Sequence, residues 1–236
     1  EFKSLVSAMG AGDSERVCVS SSAEDAMLGA EITVSHHTPL EGMSMLGTAN
    51  DCTSCLPSAA LQLTPPLPTS TGTLAVPAPS LDAHALKHFE VDFEVHVRSI
   101  DHRHGEGFSW SYAAGVAEPA GAHGVSTTGI SACFFELPRR ELRVYLNSEL
   151  IAQSRTQESW FDSSGVARCH IRYDNDGLRI GSAQSGVVVQ GVSLSPWAPS
   201  RTWRFAIGAS SGARQSSFML HHMRTRFGAR MLARRT

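Results

Sequence analysis

In Phe89-Glu-Val-Asp-Phe-Glu-Val-His-Val97, apolar and polar residues alternate without a break over nine positions. Side chains along an extended strand point to opposite faces in turn. Phe89, Val91, Phe93, Val95 and Val97 therefore share one face, and Glu90, Asp92, Glu94 and His96 share the other. The run predicts an antiparallel strand with one side on a core and one side toward water.

The same period recurs along the chain. Phe108, Trp110 and Tyr112 alternate with Ser109 and Ser111; Leu142, Val144 and Leu146 alternate, as do Cys169, Ile171 and Tyr173. Ile130–Glu136 is nearly all apolar, as a strand covered on both sides would be. Asp174-Asn-Asp-Gly177 is a hairpin turn signal leading to Leu178 and Ile180. Leu61–Thr64 and Gly72–Val76 flank a turn containing Pro65, Pro66 and Pro68, and Val187–Leu194, Trp203–Ile207 and Phe218–Phe227 complete the series. Ten to twelve strands with few helical windows predict an all-β fold, an antiparallel sandwich or barrel. Arg16–Ser20 and Glu31–Ser35 are weak strand signals, and Glu149–Phe161 is too polar for a well-formed helix. Residues 1–40 read as an irregular extension or linker, 41–228 as the sandwich, and 229–236 as a basic tail. The five arginines between Arg224 and Thr236 fit a solvated end or a linker better than an RNA- or lipid-binding arm.

Composition narrows the function. A chain of 236 residues with 42% hydrophobic content can bury a real core without staples. A formal charge of -2 argues against a nucleic-acid partner. No apolar stretch approaches the ~20 residues of a membrane span, and no signal peptide opens the chain. The start at Glu1-Phe2-Lys3, without methionine, suggests a processed or excised chain. Cys18, Cys52, Cys55, Cys133 and Cys169 include one close pair, Cys52-Thr-Ser-Cys55, which lacks the second pair of a zinc site and the βαβ context of a redox motif. A surface-loop pair, free or oxidised, is the reading kept for it, and Cys133 and Cys169 read as small buried hydrophobes. His102, His104, Glu106 and Asp101 could hold zinc weakly but read as a surface loop. Adjacent His36-His37 and His221-His222 would point to opposite strand faces and chelate one ion poorly.

The order of these segments resembles the concanavalin A-like jelly roll of the L-type lectins, from about Met43 to Phe227. Ser44–Ala49, Leu61–Thr64 and Gly72–Leu74 are similar to the family's first hairpin, and Phe89–Val97 to its long back-sheet strand. Gly105-Glu-Gly-Phe-Ser-Trp110 resembles the family's Asp-Gly-hydrophobic-x-Phe segment. Cys169–Asp174 with Gly177–Ile180 resembles a strand–turn–strand unit, and Trp203–Gly212 with Phe218–Phe227 the closing strands.

The resemblance does not carry the family's ion-supported sugar site. Metal-dependent members place a Glu and an Asp on one strand, then further ligands and a His on a loop. At the matching positions, Phe134 replaces the first carboxylate, Glu136 the second, Leu137–Arg140 shortens the loop, and Glu141 falls where the His would be. The metal site and any cofactor are expected to be absent. Glu106 matches the sugar-binding Asp but is longer, Asn147 keeps a family-like position, and Arg214 and Gln215 occupy the loop that sets ligand choice. These four are the expected ligand-binding residues; their bland readings are turn and loop chemistry. Glu90, Asp92 and Glu94 also match the Glu-x-Asp-x-Glu core of laminarinase-like glycoside hydrolases. The continuation Val95-His-Val-Arg98 departs from that family, no tryptophan flanks the triplet, and the three carboxylates are expected on an exposed back-sheet face with ordinary pKa values. The expected function is a non-catalytic lectin-like binding or assembly module within a larger chain or complex, with a protein or glycan partner. The runners-up are a metal-independent carbohydrate binder and the hydrolase, and the family resemblance leans toward an extracellular or cell-surface setting.

Overall fold

The structure is a computed structural model that describes residues 31–34, 43–52, 60–79, 81, 86–99, 105–114, 128–136, 138–200 and 202–228. The expectations for Arg16–Ser20, Cys18, Cys55, His36, His37, Asp101, His102, His104 and 229–236 lie outside the described residues. Two antiparallel sheets face each other. The back sheet has the order β13 (Gly186–Val192), β12 (Gly177–Ser182), β11 (Val166–Asp174), β6 (Phe89–Ser99), β15 (Ser216–Phe227), β4 (Ala60–Thr64) and β3 (Asn50–Cys52), with β1 (Glu31–Val34) also paired to β15. The front sheet has the order β10 (Glu149–Arg155), β9 (Glu141–Leu146), β8 (Gly129–Phe135), β7 (Gly107–Ala113), β14 (Arg204–Ser210), β5 (Thr71–Pro77) and β2 (Ser44–Gly47).

The alternation in β6 is realised residue by residue: its odd-numbered positions from Phe89 to Val97 are buried and the even ones half-buried. Phe89, Phe93, Trp110, Ile171 and Phe205 all lie in the core, none more than 3% exposed. Phe93, from the back sheet, meets Phe108 and Phe134 edge-on at 6.1 and 6.0 Å, and those two stack at 4.8 Å on the front sheet. Tyr112 stacks on Phe205 at 4.2 Å. Each such side chain contributes about 1.5–3 kcal/mol by leaving water. Cys133 and Cys169 are buried as expected, and burial pushes the Cys133 thiol up to about 12.

Three features differ from the sequence reading. The polar stretch after Asn147 is a strand, β10, which among the described strands pairs only with β9, along the sheet edge. An edge strand tolerates polar, charged side chains because only one flank is covered. Glu31–Val34 is a strand, as its weak signal indicated, but it is not part of an irregular extension: it is hydrogen-bonded in register with Met223–Arg226. In β15 the register slips by one residue between Leu220 and His222. Leu220 and Met223 both enter the core, three positions apart, so His221 and His222 bulge together on the outer face. The expectation that they point to opposite faces fails for that reason.

Candidate functional site

Glu106 sits where the ends of β7, β8 and β14 meet. Its amide donates to the Ser210 carbonyl at 3.1 Å, and its own carbonyl accepts from the Glu136 amide at 2.9 Å. The Ser210 hydroxyl donates to Glu106 Oε2 at 2.9 Å. The side chain lies against Gly212, a left-handed residue (φ 56°) where a Cβ would collide with it. Gly212 thus satisfies both a backbone and a steric demand.

The turn carrying Arg214 and Gln215 follows directly, closed by the Arg214 amide on the Ser211 carbonyl at 3.1 Å. Ser211 is buried and ties this turn to the neighbouring loop through the Leu67 carbonyl (2.8 Å) and the Ser70 amide (2.9 Å). Arg214 is half-buried and Gln215 exposed. Three of the four expected ligand residues therefore share one end of the sandwich.

Asn147 does not join them. It opens the β9–β10 turn in the left-handed region (φ 51°), followed by Ser148 (φ 68°). Its Oδ1 accepts from the Gly129 amide at 2.9 Å, at the start of β8. Glu106 is bonded beyond the other end of that seven-residue strand, roughly 20 Å away at about 3.3 Å per residue. The Asn147 side chain serves the hairpin, the turn role weighed for it from sequence.

Glu136 is 5% exposed, and protein donors hold its carboxylate on both oxygens. The Ser159 hydroxyl (2.6 Å) and the Trp160 amide (2.7 Å) donate to Oε1, and Arg140 Nε donates to Oε2 at 3.1 Å. Trp160 is fully buried, and its indole donates to the Phe135 carbonyl at 2.8 Å. Glu141 is likewise buried, bound by the Arg143 guanidinium and by Gln153 Nε2 at 2.7 Å. Arg143 lies 4.7 Å above the Phe135 ring. Beside these groups opens a cleft of about 450 Å³ lined by Glu106, Phe135, Arg139, Arg143, Gln153 and Arg155, among others. Sequence reading singled out Glu136 and Glu141 but missed Ser159 and Trp160; the Ser-Trp-Phe triplet closing a polar stretch was the available signal.

On the opposite face, Glu90 and Glu94 are not the exposed carboxylates expected, at 12% and 22% exposed, whereas Asp92 is 41% exposed. Arg226 reaches Glu90 at 3.1 Å and Asp92 at 2.9 Å, and Arg168 reaches Glu94 at 2.9 Å. His170 Nδ1 lies 2.7 Å from Asp92, and His96 Nε2 lies 2.6 Å from Glu94. The expectation of ordinary pKa values is corrected for Asp92 and Glu94. The hydrogen bond from His170 outweighs burial and, with the charges of His170 and Arg226, holds the Asp92 carboxyl below its usual range. Burial pushes Glu94 up, but its bond to His96 and the charges of His96, Arg168 and His221 together hold it low. An open groove of about 690 Å³ runs beside them, with Asp92, Glu94, Arg168, His170 and His222 on its walls.

No protein-family model matches the chain, and no curated protein matches it. Solved structures do. Lectin II from Ulex europaeus is 15% identical with a TM-score of 0.65, over 84% of this chain and 98% of its own. The carbohydrate recognition domain of Emp47p is 16% identical with a TM-score of 0.60, over 80% and 90%. The exoplasmic/lumenal domain of VIP36, in a form bound to Ca²⁺ and Man3GlcNAc, is 17% identical with a TM-score of 0.58, over 78% and 82%. With two antiparallel sheets in this order, the chain has the concanavalin A-like fold of the L-type lectin domains.

Proposed function

We propose that this sandwich is a non-catalytic binding module, one domain or subunit of a larger assembly, in which protein donors replace the ions that support sugar binding in metal-dependent lectins. The observation that carries this reading is the Glu136 carboxylate, whose two oxygens are taken by Ser159, Trp160 and Arg140. A divalent ion there would have to displace a buried amide and compete with a guanidinium, and Phe134 offers it no second carboxylate. The reading takes 41–228 as the body of the sandwich, with Glu31–Val34 attached to it and 229–236 as a basic tail.

Calcium titration and a glycan array with and without chelator test it. No saturable calcium binding below millimolar is expected, and any glycan or protein binding should be indifferent to chelator. Chelator-sensitive glycan binding lost in Glu136→Ala would overturn the proposal.

One observation favours a second reading, metal-independent carbohydrate binding: the cleft joining Glu106 to Arg139, Arg143 and Arg155. A carboxylate beside guanidinium groups offers both acceptors and donors to vicinal hydroxyls, and an acidic sugar would gain charge-assisted bonds. The VIP36 and Emp47p domains are carbohydrate binders by their descriptions. Catalysis by Glu90, Asp92 and Glu94 is disfavoured, because a retaining hydrolase needs one carboxyl raised as the acid. Here Glu94 is held low and Glu90 is bound by Arg226. Release of reducing sugar from laminarin or agarose by the wild type, abolished in Glu90→Gln, would restore the hydrolase.

A further inference from the structure

From the outer face of the back sheet, we infer that Glu94, His96 and His221 form a site for a borderline divalent metal ion of the Zn²⁺ class, unrelated to the sugar-site ions of the front sheet. Glu94 Oε1, His96 Nε2 and one ring nitrogen of His221 all lie within 4.8 Å of one another. The Glu94–His96 separation is 2.6 Å, and His221 Nδ1 stands 3.6 Å from the same carboxylate oxygen. A tetrahedral ion with bonds of about 2.0–2.1 Å needs ligand atoms roughly 3.3 Å apart. Side-chain rotations of an ångström or so therefore suffice.

The backbone builds this convergence. Glu94 and His96 share the outer face of β6 two residues apart, and the bulge in β15 turns His221 onto the same face. The two imidazoles stack at 5.0 Å with planes 27° apart, over a single carboxylate oxygen. Arg168 binds the other oxygen, Oε2, at 2.9 Å, and its charge is shared with Asp162 at 3.1 Å. Oε1 is thus left facing the imidazoles. Two imidazole nitrogens with one carboxylate suit Zn²⁺ and its neighbours, whereas calcium and magnesium prefer oxygen ligands. Three protein ligands leave one position for water or a side chain from a partner. Glu94 also lines the groove, so that position lies close to an accessible surface.

The test is calorimetric titration of the full chain with ZnCl₂ at neutral pH, beside His96→Ala/His221→Ala and His222→Ala variants. Weakening the support of a ligand costs 10–100-fold in affinity, so removing two ligands should cost at least about tenfold. His222→Ala, which removes the bulge neighbour outside the ligand set, should stay close to wild type. Zinc should also raise the melting temperature of the wild type and not of the double variant. If the double variant fails to fold, His221→Gln carries the same criterion. No saturable zinc binding below millimolar in the wild type, or unchanged affinity in the ligand variants, overturns the site.

Discussion

Replacing Glu136 with alanine tests whether internal donors hold the front sheet where metal-dependent lectins use ions. The variant strands the Trp160 amide, which is buried and has Glu136 as its acceptor; an orphaned buried donor costs about 1–3 kcal/mol. The Ser159 hydroxyl loses a 2.6 Å bond in a half-buried setting, worth about 1 kcal/mol. Arg140 is 45% exposed, so its ion pair adds no more than about 1 kcal/mol. The sum is about 3 kcal/mol, or about 6–12 °C in melting temperature for a chain of this length. Glu136→Gln keeps a carbonyl for the Trp160 amide and should cost only about 1 kcal/mol. Urea unfolding followed by tryptophan fluorescence reads both variants. A loss under about 1 kcal/mol for alanine, or calcium stabilising the wild type through Glu136, would refute the reasoning.

Phe93→Ala should lose about 3–5 kcal/mol in the same assay, because the side chain fills the contact between both sheets; a loss under about 1 kcal/mol would contradict the packing described. Asp162 is held down to about 2, chiefly by the Ser164 hydroxyl, against burial and with the Val166 and Ser164 amides and Arg168 adding to the effect. Its folded value is depressed, so its stabilisation is full above 3.8 and fades as pH falls through about 2. Asp162→Asn should flatten acid unfolding across that window, and an unchanged profile would deny Asp162 that role.

Strand periodicity made the fold legible. In β6 and β7 every second residue is large and apolar, and packing alone forces them inward. β10 was hidden because an edge strand needs no buried stripe, so Glu149–Arg155 carries no period-two signal. The bulge of β15 was written in the sequence as the three-residue step from Leu220 to Met223, a break that a uniform strand reading smooths over. The candidate site was less legible. Glu106 and the Arg214 turn came together because β7 and the closing strand β14 pair directly. Asn147 belonged by position to a loop that, in this chain, became a two-residue hairpin turn at the far end of β8. Ion partners across strands, such as Arg226 with Glu90, depend on register, which one strand does not reveal.

β15 carries a kinetic consequence. It is bonded to β6, β4 and β1, and it joins Arg226 to Glu31 and Leu220 to Leu61. The pairings of β6, β4 and β1 with β15 therefore wait for a segment that a ribosome synthesises more than a hundred residues after those partners, whereas β6 pairs with β11 without it. Loops of that length are closed before any contact repays them, which places folding in the slow, millisecond-to-second regime of sandwiches. Until Phe227 is in place, β6 and β4 present unpaired edges to neighbouring chains. Nascent chains truncated before Ser216 should consequently be the ones that a chaperone holds and a protease cuts.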